Sequence, residues 1–524
     1  MLSYPAMTDF ETTRRPWIVA GAAVLAALLY ALLWPKFSVG FANDDALYIL
    51  GAQSLRHGQY VSLQYPRHPA LTDPLPGYSL FLTPFVHWVA PHWSLLKATT
   101  ILLTLVTGVL LWWFFAPWFG ERERTLLAAM FWFNPYTAQF SVTLFSEPFF
   151  LFMISLFLLR MRVALVANSS RKNDLILGFL LMWIVLTRPQ GVLLWASLML
   201  GAALFKTVRR LTLTLLLPAL ASAAFMGRNV LRIGHPSLYF STWFQSASRG
   251  AAGSHSVAQH WRSVLSVLFL QNGLGLSDAE WMPAWFAAAL ILLLIAVLLR
   301  GFSRWSKKSS GDEPVLFIVG TFLLLYFLVQ TLWVTADVRY GLALVPFGLA
   351  LMIRGLDFSA SGKKIFSLIP ILLFGGLLSL FAVQDVNLAA ATVLHPEWNR
   401  PFQLPQNTYQ WIRDHLPGDA MIVTSKPSTL FLYCHRSATF VRPATNRDDF
   451  RYQLSEARID YVLTQPSQLS SPYYHLLWSQ TQAWIEAWPE AFRLIYENRD
   501  EGTRLYQRVN NPAFEKKFEQ TAGG

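Results

Sequence analysis

Long uninterrupted apolar blocks constrain this chain more than any motif in it. Trp17–Pro35, Leu95–Ala116, Leu211–Val230, Val315–Val334 and Ile365–Val383 each match the ~20 residues that a helix needs to cross a hydrocarbon core. In lipid only helices and closed barrels satisfy every backbone polar group. The blocks far exceed the roughly 10-residue alternating strands of a barrel, so they are read as helices. Charged residues make up 14% of the chain, where a soluble domain carries about a quarter. The expected class is an α-helical polytopic membrane protein. The first block is too long for a signal-peptide core and lacks a small-residue cleavage site, so it is expected to stay as an uncleaved first span.

The formal net charge of +12 reads as topology signalling. Its basic clusters are Arg14-Arg15, Arg122 with Arg124, Arg162 to Lys172, Lys206 to Arg210, Arg304 to Lys308 and Arg354 to Lys364. They fall between apolar blocks and form no continuous patch, which argues against a nucleic-acid partner. If all face the cytoplasm, each interval between them holds an even number of spans. That pairs 125–145 with 146–163, 174–188 with 190–206, 211–229 with 284–300 and 314–334 with 340–356, and leaves 364–384 as the last span. Three apolar stretches lie between Arg15 and Arg122, namely 17–35, 78–90 and 94–116. The middle one is short and carries Pro84, His87 and Trp88, so it is assigned as interfacial or re-entrant. The result is about eleven spans, twelve or thirteen if further stretches cross. The N-terminus is cytoplasmic and the C-terminal region extracytoplasmic, in a cell (inner or plasma) membrane.

A composition shift divides the chain into a transmembrane body, 1–385, with a first outer loop at 36–93, and a soluble extracytoplasmic α/β domain, 386–524. In the latter, Gln406–Leu416 and Asp448–Ala457 read as helices, and Met421–Ser425 and Tyr461–Thr464 as strands. Phe492–Tyr496 and Arg504–Val509 read as a hairpin around Asp500-Glu501-Gly502. The last dozen residues read as frayed. The one cysteine, Cys434, rules out an internal disulfide and reads as a small buried side chain.

Under this topology Asp44, Asp45, Glu147, Arg188, Arg228, Asp337 and Arg339 all lie at or beyond the outer ends of spans. Ionisable groups at membrane depth are costly and usually functional. The first outer loop opens Phe41-Ala42-Asn43-Asp44-Asp45-Ala46-Leu47-Tyr48 and continues as an amphipathic helix, Ala46–Arg56, to His57-Gly58. Asn43 or Asp44 can cap that helix, and a carboxylate complements its positive end. Capping accounts for one aspartate, not two. Adjacent carboxylates suit a general base, because like charge raises one pKa toward neutrality. The loop continues through Tyr65-Pro66-Arg67-His68-Pro69 to Thr72-Asp73-Pro74-Leu75-Pro76-Gly77-Tyr78, an extended chain held by its prolines.

A span, then Asp-Asp-Ala-Leu-Tyr, then Ser54-Leu55-Arg56-His57-Gly58, then Pro-Leu-Pro-Gly-Tyr-Ser-Leu-Phe-Leu-Thr-Pro-Phe is an order that resembles the bacterial GT-C glycosyltransferases. These are related to the protein O-mannosyltransferases and the lipid A aminoarabinose transferase. Ser146-Glu147-Pro148 resembles the family's Ser-Glu turn and Leu186-Thr187-Arg188-Pro189 its Thr-Arg-Pro turn. Gly227-Arg228-Asn229 with Gly234-His235-Pro236 is similar to its Arg-Asn segment, and Asp337-Val338-Arg339-Tyr340 to its Arg-Tyr turn. The matches run in order over roughly residues 40–345. Many relatives double the proline before Gly-Tyr; here Leu75 separates Pro74 from Pro76.

The resemblance implies transfer of a sugar from a polyprenyl-phosphate carrier to an acceptor on the extracytoplasmic face. Asp44 would be the catalytic acidic residue, with Asp45 its neighbour or substitute. Arg188, Arg228 and Arg339 would hold the carrier phosphate, since Arg grips phosphate bidentately and stays charged. Glu147 would orient one of them or bind the sugar. Tyr48, Arg67, His68, Asn229, Asp337 and Tyr340 complete the candidate substrate-binding set. The implied partners are the lipid-linked donor, membrane lipid, and an acceptor that is a protein, a lipid or a glycan. No cofactor is read from the residues and a divalent metal stays open. His68, His87 and His92 read as interfacial side chains, and Trp112, Trp113 and Trp118 as interface anchors. Two other readings remain: a transporter or flippase of lipid-linked sugars, and a structural membrane body carrying a C-terminal binding module. Transporters bind near the midplane between repeated halves, whereas here the charges sit at the outer edge. The topology predicts that a tag at residue 44 is reached by a membrane-impermeant reagent from the outside; labelling only after the cytosol is opened would overturn it.

Overall fold

A computed structural model describes residues 16–166, 170–236, 296–297, 299–303, 312–332, 338–356, 364–440, 447–465 and 481–509. The predicted span 284–300 lies largely outside these residues, as do Asp337 and the tail beyond 509.

The helices, in chain order, begin with α1 (Pro16–Leu33), α2 (Asp44–Arg56), α3 (Pro76–Leu82), α4 (Val86–Val89), α5 (Lys97–Phe114) and α6 (Glu121–Trp132). Next come α7 (Pro135–Ser141), α8 (Ser146–Val166), α9 (Arg171–Thr187), α10 (Gly191–Leu204), α11 (Lys206–Arg209) and α12 (Thr212–Ile233). Then follow α13 (Glu313–Leu332), α14 (Val345–Gly355), α15 (Lys364–Leu394), α16 (Gln406–His415), α17 (Pro427–Cys434) and α18 (Arg447–Glu456). Five strands are β1 (Met421–Val423), β2 (Ser437–Thr439), β3 (Tyr461–Thr464), β4 (Phe492–Asn498) and β5 (Thr503–Arg508). Two compact units result. One holds residues 1–35, 75–78 and 95–396; the other holds 36–74, 79–94 and 397–524.

In the first unit, six apolar stretches among the described residues are long enough to cross a membrane: Trp17–Lys36, Trp93–Phe114, Ser146–Leu165, Thr212–Ile233, Glu313–Gln330 and Leu372–Leu394. The predicted spans 174–188, 190–206 and 340–356 fall on helices of 17, 14 and 11 residues. The expected single span 125–145 is broken. Pro135 opens α7, and the Asn134 side chain caps it by accepting from the Tyr136 and Thr137 amides at 3.1 and 3.2 Å. The stretch 78–90 divides into α3 and α4, neither long enough to cross. The last span, expected to end at 384, continues as helix to Leu394.

Close helix packing here depends on small residues and on satisfied ends. A side chain at Gly108 of α5 would meet the Trp132 indole at 2.3 Å, so glycine lets α6 approach. Asp174, near the start of α9, caps α12: its carboxylate accepts from Leu213 N at 3.0 Å, Thr214 N at 2.9 Å and Thr214 Oγ1 at 2.7 Å. A buried aspartate is tolerated there because it answers otherwise orphaned amides at the positive helix end.

The second unit joins the first outer loop to the C-terminal α/β region. Its sheet runs β2-β1-β3-β5-β4, with β2, β1 and β3 parallel and β5 and β4 antiparallel. Strand alternation divides the core. Ile422, Leu463 and Leu505 pack with Ile412 and Leu430 on one face, while Val423 and Val462 pack with Phe450, Trp488 and Phe492 on the other. Cys434 is fully buried in the first cluster and gives its thiol to Tyr409 O at 3.4 Å. Glu501, at the hairpin turn, caps α16 by accepting from the Asn407 and Thr408 amides, both at 2.9 Å.

The outer loop is bonded into this region throughout. Thr429 Oγ1 donates to Gly40 O at 2.7 Å, Tyr433 OH to Val39 O at 2.9 Å, and Ala438 N to Gln64 O at 2.9 Å. Two segments hydrogen-bonded together lie on the same side of a bilayer, so the chain crosses an even number of times between them. Gly40 has φ +98°, and a Cβ there would stand 2.5 Å from Thr429 Cγ2. Gly40→Ala is therefore expected to destabilise this unit by about 2 kcal/mol, from backbone strain plus the clash. Thermal unfolding of the purified full-length protein checks it, and an unchanged midpoint refutes the packing described.

Candidate functional site

Four sequence motifs that are far apart in the chain converge in the membrane unit. The Thr187-Arg188-Pro189 turn ends α9 against Gly77, where a Cβ would meet Thr187 Oγ1 at 2.6 Å and Leu186 O at 2.7 Å. Trp183 Nε1 donates to Gly77 O at 2.8 Å. The Tyr78 ring packs on Phe149 of α8, with centroids 5.7 Å apart. These contacts seat the Pro-Gly-Tyr, Ser-Glu-Pro and Thr-Arg-Pro segments together, and the Arg339-Tyr340 turn joins them.

Their charged core is Glu147 between two arginines. Arg188 Nη1 lies 2.6 Å from Glu147 Oε1, and Arg339 Nε lies 3.8 Å from the same oxygen. Arg188 also donates to Ser146 Oγ at 3.0 Å and to Gln190 Oε1 at 3.4 Å. Both guanidinium groups sit 5.1 Å from the Tyr340 ring centre, and Arg339 donates to Tyr340 OH at 3.3 Å. Tyr326 OH donates to Tyr340 O at 2.7 Å, which fixes the turn. Glu147 is 5% exposed and Arg188 7%. The first turn of α8 supplies amide dipoles that favour the carboxylate. Among the described residues, two guanidinium groups face one carboxylate, and guanidinium groups suit an anion. Sequence reasoning missed Gln190, Tyr326 and Phe145, over whose ring Arg339 lies at 5.6 Å; uncharged residues carry no signal that sets them apart from core.

Arg228 and Asn229, near the end of α12, bond each other at 2.8 Å, and Asn229 Nδ2 donates to Pro236 O at 3.0 Å where the chain turns. Asn229 is fully buried. Asp337 lies outside the described residues.

In the other unit, Asp44 and Asp45 form the first turn of α2. The expected cap differs: Asn43 has φ +68° and makes no cap bond. Its Oδ1 instead accepts from the Ser428 and Thr429 amides of α17, at 2.9 and 3.4 Å, so it answers the orphan donors of another helix. Asp45 is 1% exposed and its Oδ2 accepts from the Gly40 amide. Asp44 is half-buried. Burial pushes the Asp45 carboxyl up to about 7, and the Asp44 charge adds to the push; the Gly40 and Ala46 amides and the Lys426 charge oppose it. Tyr48 is buried on α2, whereas Arg67 and His68 are exposed at a tight turn with φ of +66° and +45°. Among the described residues no group of three or more His, Cys, Asp or Glu side chains converges to hold a metal ion.

The Glu147 cluster predicts strong coupling. Glu147→Gln and Arg188→Met should each cost about 3 kcal/mol, because each strands a buried charge. The double variant should cost at least ~1 kcal/mol less than the sum. Denaturation of the purified variants measures this, and additive losses would refute the pairing.

No protein-family model matches the sequence, and no curated protein matches it. Solved structures do match in fold. The apo oligosaccharyltransferase of Archaeoglobus fulgidus matches at TM-score 0.57 and 12% identity, over 97% of this chain and 82% of that one. The same organism's oligosaccharyltransferase AglB, in complex with an inhibitory peptide and a dolichol-phosphate, matches at 0.55 and 12%, over 95% and 75%. ArnT from Cupriavidus metallidurans, bound to undecaprenyl phosphate, matches at 0.55 and 11%, over 95% and 99%. At such identities the likeness is one of fold alone: the chain shares the architecture of these proteins.

Proposed function

We propose that this protein is an integral membrane glycosyltransferase that moves a sugar, hexosyl or pentosyl, from a polyprenyl-phosphate carrier to an acceptor on the extracytoplasmic face. The observation that carries the reading is the buried Glu147–Arg188–Arg339 cluster, whose two guanidinium groups suit a phosphate. Two proteins of the same fold hold such carriers, dolichol-phosphate in one and undecaprenyl phosphate in the other. An isoprenoid chain stays in hydrocarbon while its phosphate sits at the interface, which is the setting that a helical membrane body with charges at its outer edge provides.

In this reading Asp44 takes the proton from the acceptor hydroxyl or amine. The freed lone pair attacks the anomeric carbon and the bond from that carbon to the carrier oxygen breaks, so the carrier phosphate leaves with one more negative charge. Arg188 and Arg339 neutralise that charge as it develops, which is where the rate gain arises. Glu147 orients both guanidinium groups. Asp44 is favoured over Asp45 as the base because a base must reach its substrate, and Asp45 is sealed in its own loop. Residues 1–385 act as the catalytic membrane body. The region 386–524 lies outside the cell with the first outer loop.

Asp44→Asn should lower transfer about 10²–10⁴-fold while the protein inserts and folds normally. Mass spectrometry of lipid-linked sugars and surface glycans, with and without the active chain, identifies donor and product. An Asp44→Asn variant that transfers at the normal rate, or one that only stops moving the lipid across the bilayer, would overturn the reading.

A further inference from the structure

The segment ahead of α2 is bonded residue by residue to the C-terminal region of the same unit. Ser38 N donates to Phe402 O at 3.0 Å, Tyr433 OH to Val39 O at 2.9 Å, and Thr429 Oγ1 to Gly40 O at 2.7 Å. Asn43 continues the series: its Oδ1 accepts from the Ser428 and Thr429 amides of α17, at 2.9 and 3.4 Å. Its backbone stands at φ +68° and ψ −38°, a conformation that L side chains rarely adopt. Asparagine tolerates positive φ better than most residues, and the bonds to α17 offset the cost that remains. Leu47 N donates to Asn43 O at 3.0 Å, so α2 winds directly on this residue with Asp44 as its first. The direction in which Asp44 enters the helix is therefore set at Asn43, and Asn43 is set by α17.

We propose that Asn43 is a positioning residue for Asp44: its side chain, bonded to the first amides of α17, holds the backbone turn on which the base stands. The inference rests on Asp44 being the base and brings the C-terminal region into the working site. Proton transfer needs the carboxylate within hydrogen-bond reach of the acceptor, and a misplacement of about 1 Å can cost about 10²-fold in rate. Ser428 and Thr429 are buried, so a side chain without the oxygen leaves their amides unanswered. It also removes what holds Asn43 at positive φ, and relaxation toward negative φ rotates the first turn of α2. Glycine separates the two contributions, because it adopts positive φ freely and lacks only the acceptor.

The test uses the full-length protein in lipid nanodiscs, with the lipid-linked donor and the acceptor that the mass-spectrometric comparison identifies, and rates are taken per folded molecule. Asn43→Gly should lower kcat about 10–100-fold and leave the KM for the donor within about twofold, because the change touches none of the residues assigned to the phosphate. Asn43→Asp keeps an oxygen acceptor and should recover most of the lost rate at mildly alkaline pH, where the added carboxyl stays ionised. Placed on top of Asp44→Asn, Asn43→Gly should lower the rate no further, since residues that act as one unit lose their effect together. A residue that merely stabilises the fold would lower both backgrounds by the same factor. If Asn43→Gly does not fold, Asn43→Ser, which draws the oxygen back by one bond, takes its place in both backgrounds. Unchanged kcat in a folded single variant, or equal losses with and without Asp44, overturns the proposal. A wild-type chain that transfers no sugar, or an Asp44→Asn variant that transfers normally, sinks the proposed function instead, so the two failures are told apart.

Discussion

Hydrocarbon gives no hydrogen-bond partner to a polar group and no screening to a charge, and the rest of this structure follows from that. Every charged side chain near the membrane must either reach water or be answered from within. Glu147 and Arg188 are both nearly inaccessible and lie 2.6 Å apart. Neither would be tolerated there without the other. The same rule explains Asp174, which is buried yet stabilising because three donors of α12 converge on it. It also explains why the break between α6 and α7 carries Asn134, which accepts the Tyr136 and Thr137 amides: a helix interrupted in lipid leaves backbone groups that side chains must satisfy.

Such pairing links stability to chemistry. Among the described residues, the Glu147 cluster sets two guanidinium groups against one carboxylate. Asp45 is the opposite case, a carboxylate sealed in a loop where burial raises its proton affinity to about 7. Its neighbour Asp44 keeps contact with solvent. Adjacent positions on one helical turn thus give two carboxylates with different environments.

Much of this was legible from residues alone, and the reason differs by feature. The membrane class was legible because spanning helices must be long and apolar whatever they pack against. In the C-terminal region the strand Tyr461–Thr464 falls where expected, and the helix from Gln406 and the hairpin around Gly502 lie within a residue or two of expectation. Local periodicity and turn chemistry set these elements. The short helix α7 after Asn134-Pro135 was not read, because hydropathy averages across it. The Asn43 cap was misassigned for a related reason. Its amide suits an N-cap locally, but the donors it answers belong to α17, some 385 positions away.

The sequence by itself determined the apolar spans, the composition break near residue 386 and the identity of the acidic and basic candidates. Only tertiary structure decided which of them meet. It brought Gly77, Glu147, Arg188 and Arg339 together, buried Asp45 while leaving Asp44 half-open, and bonded α17 to the first loop. Burial and charge pairing are properties of the packed chain, since the field at a side chain is set by whatever surrounds it in space, and neighbours in space need not be neighbours in sequence.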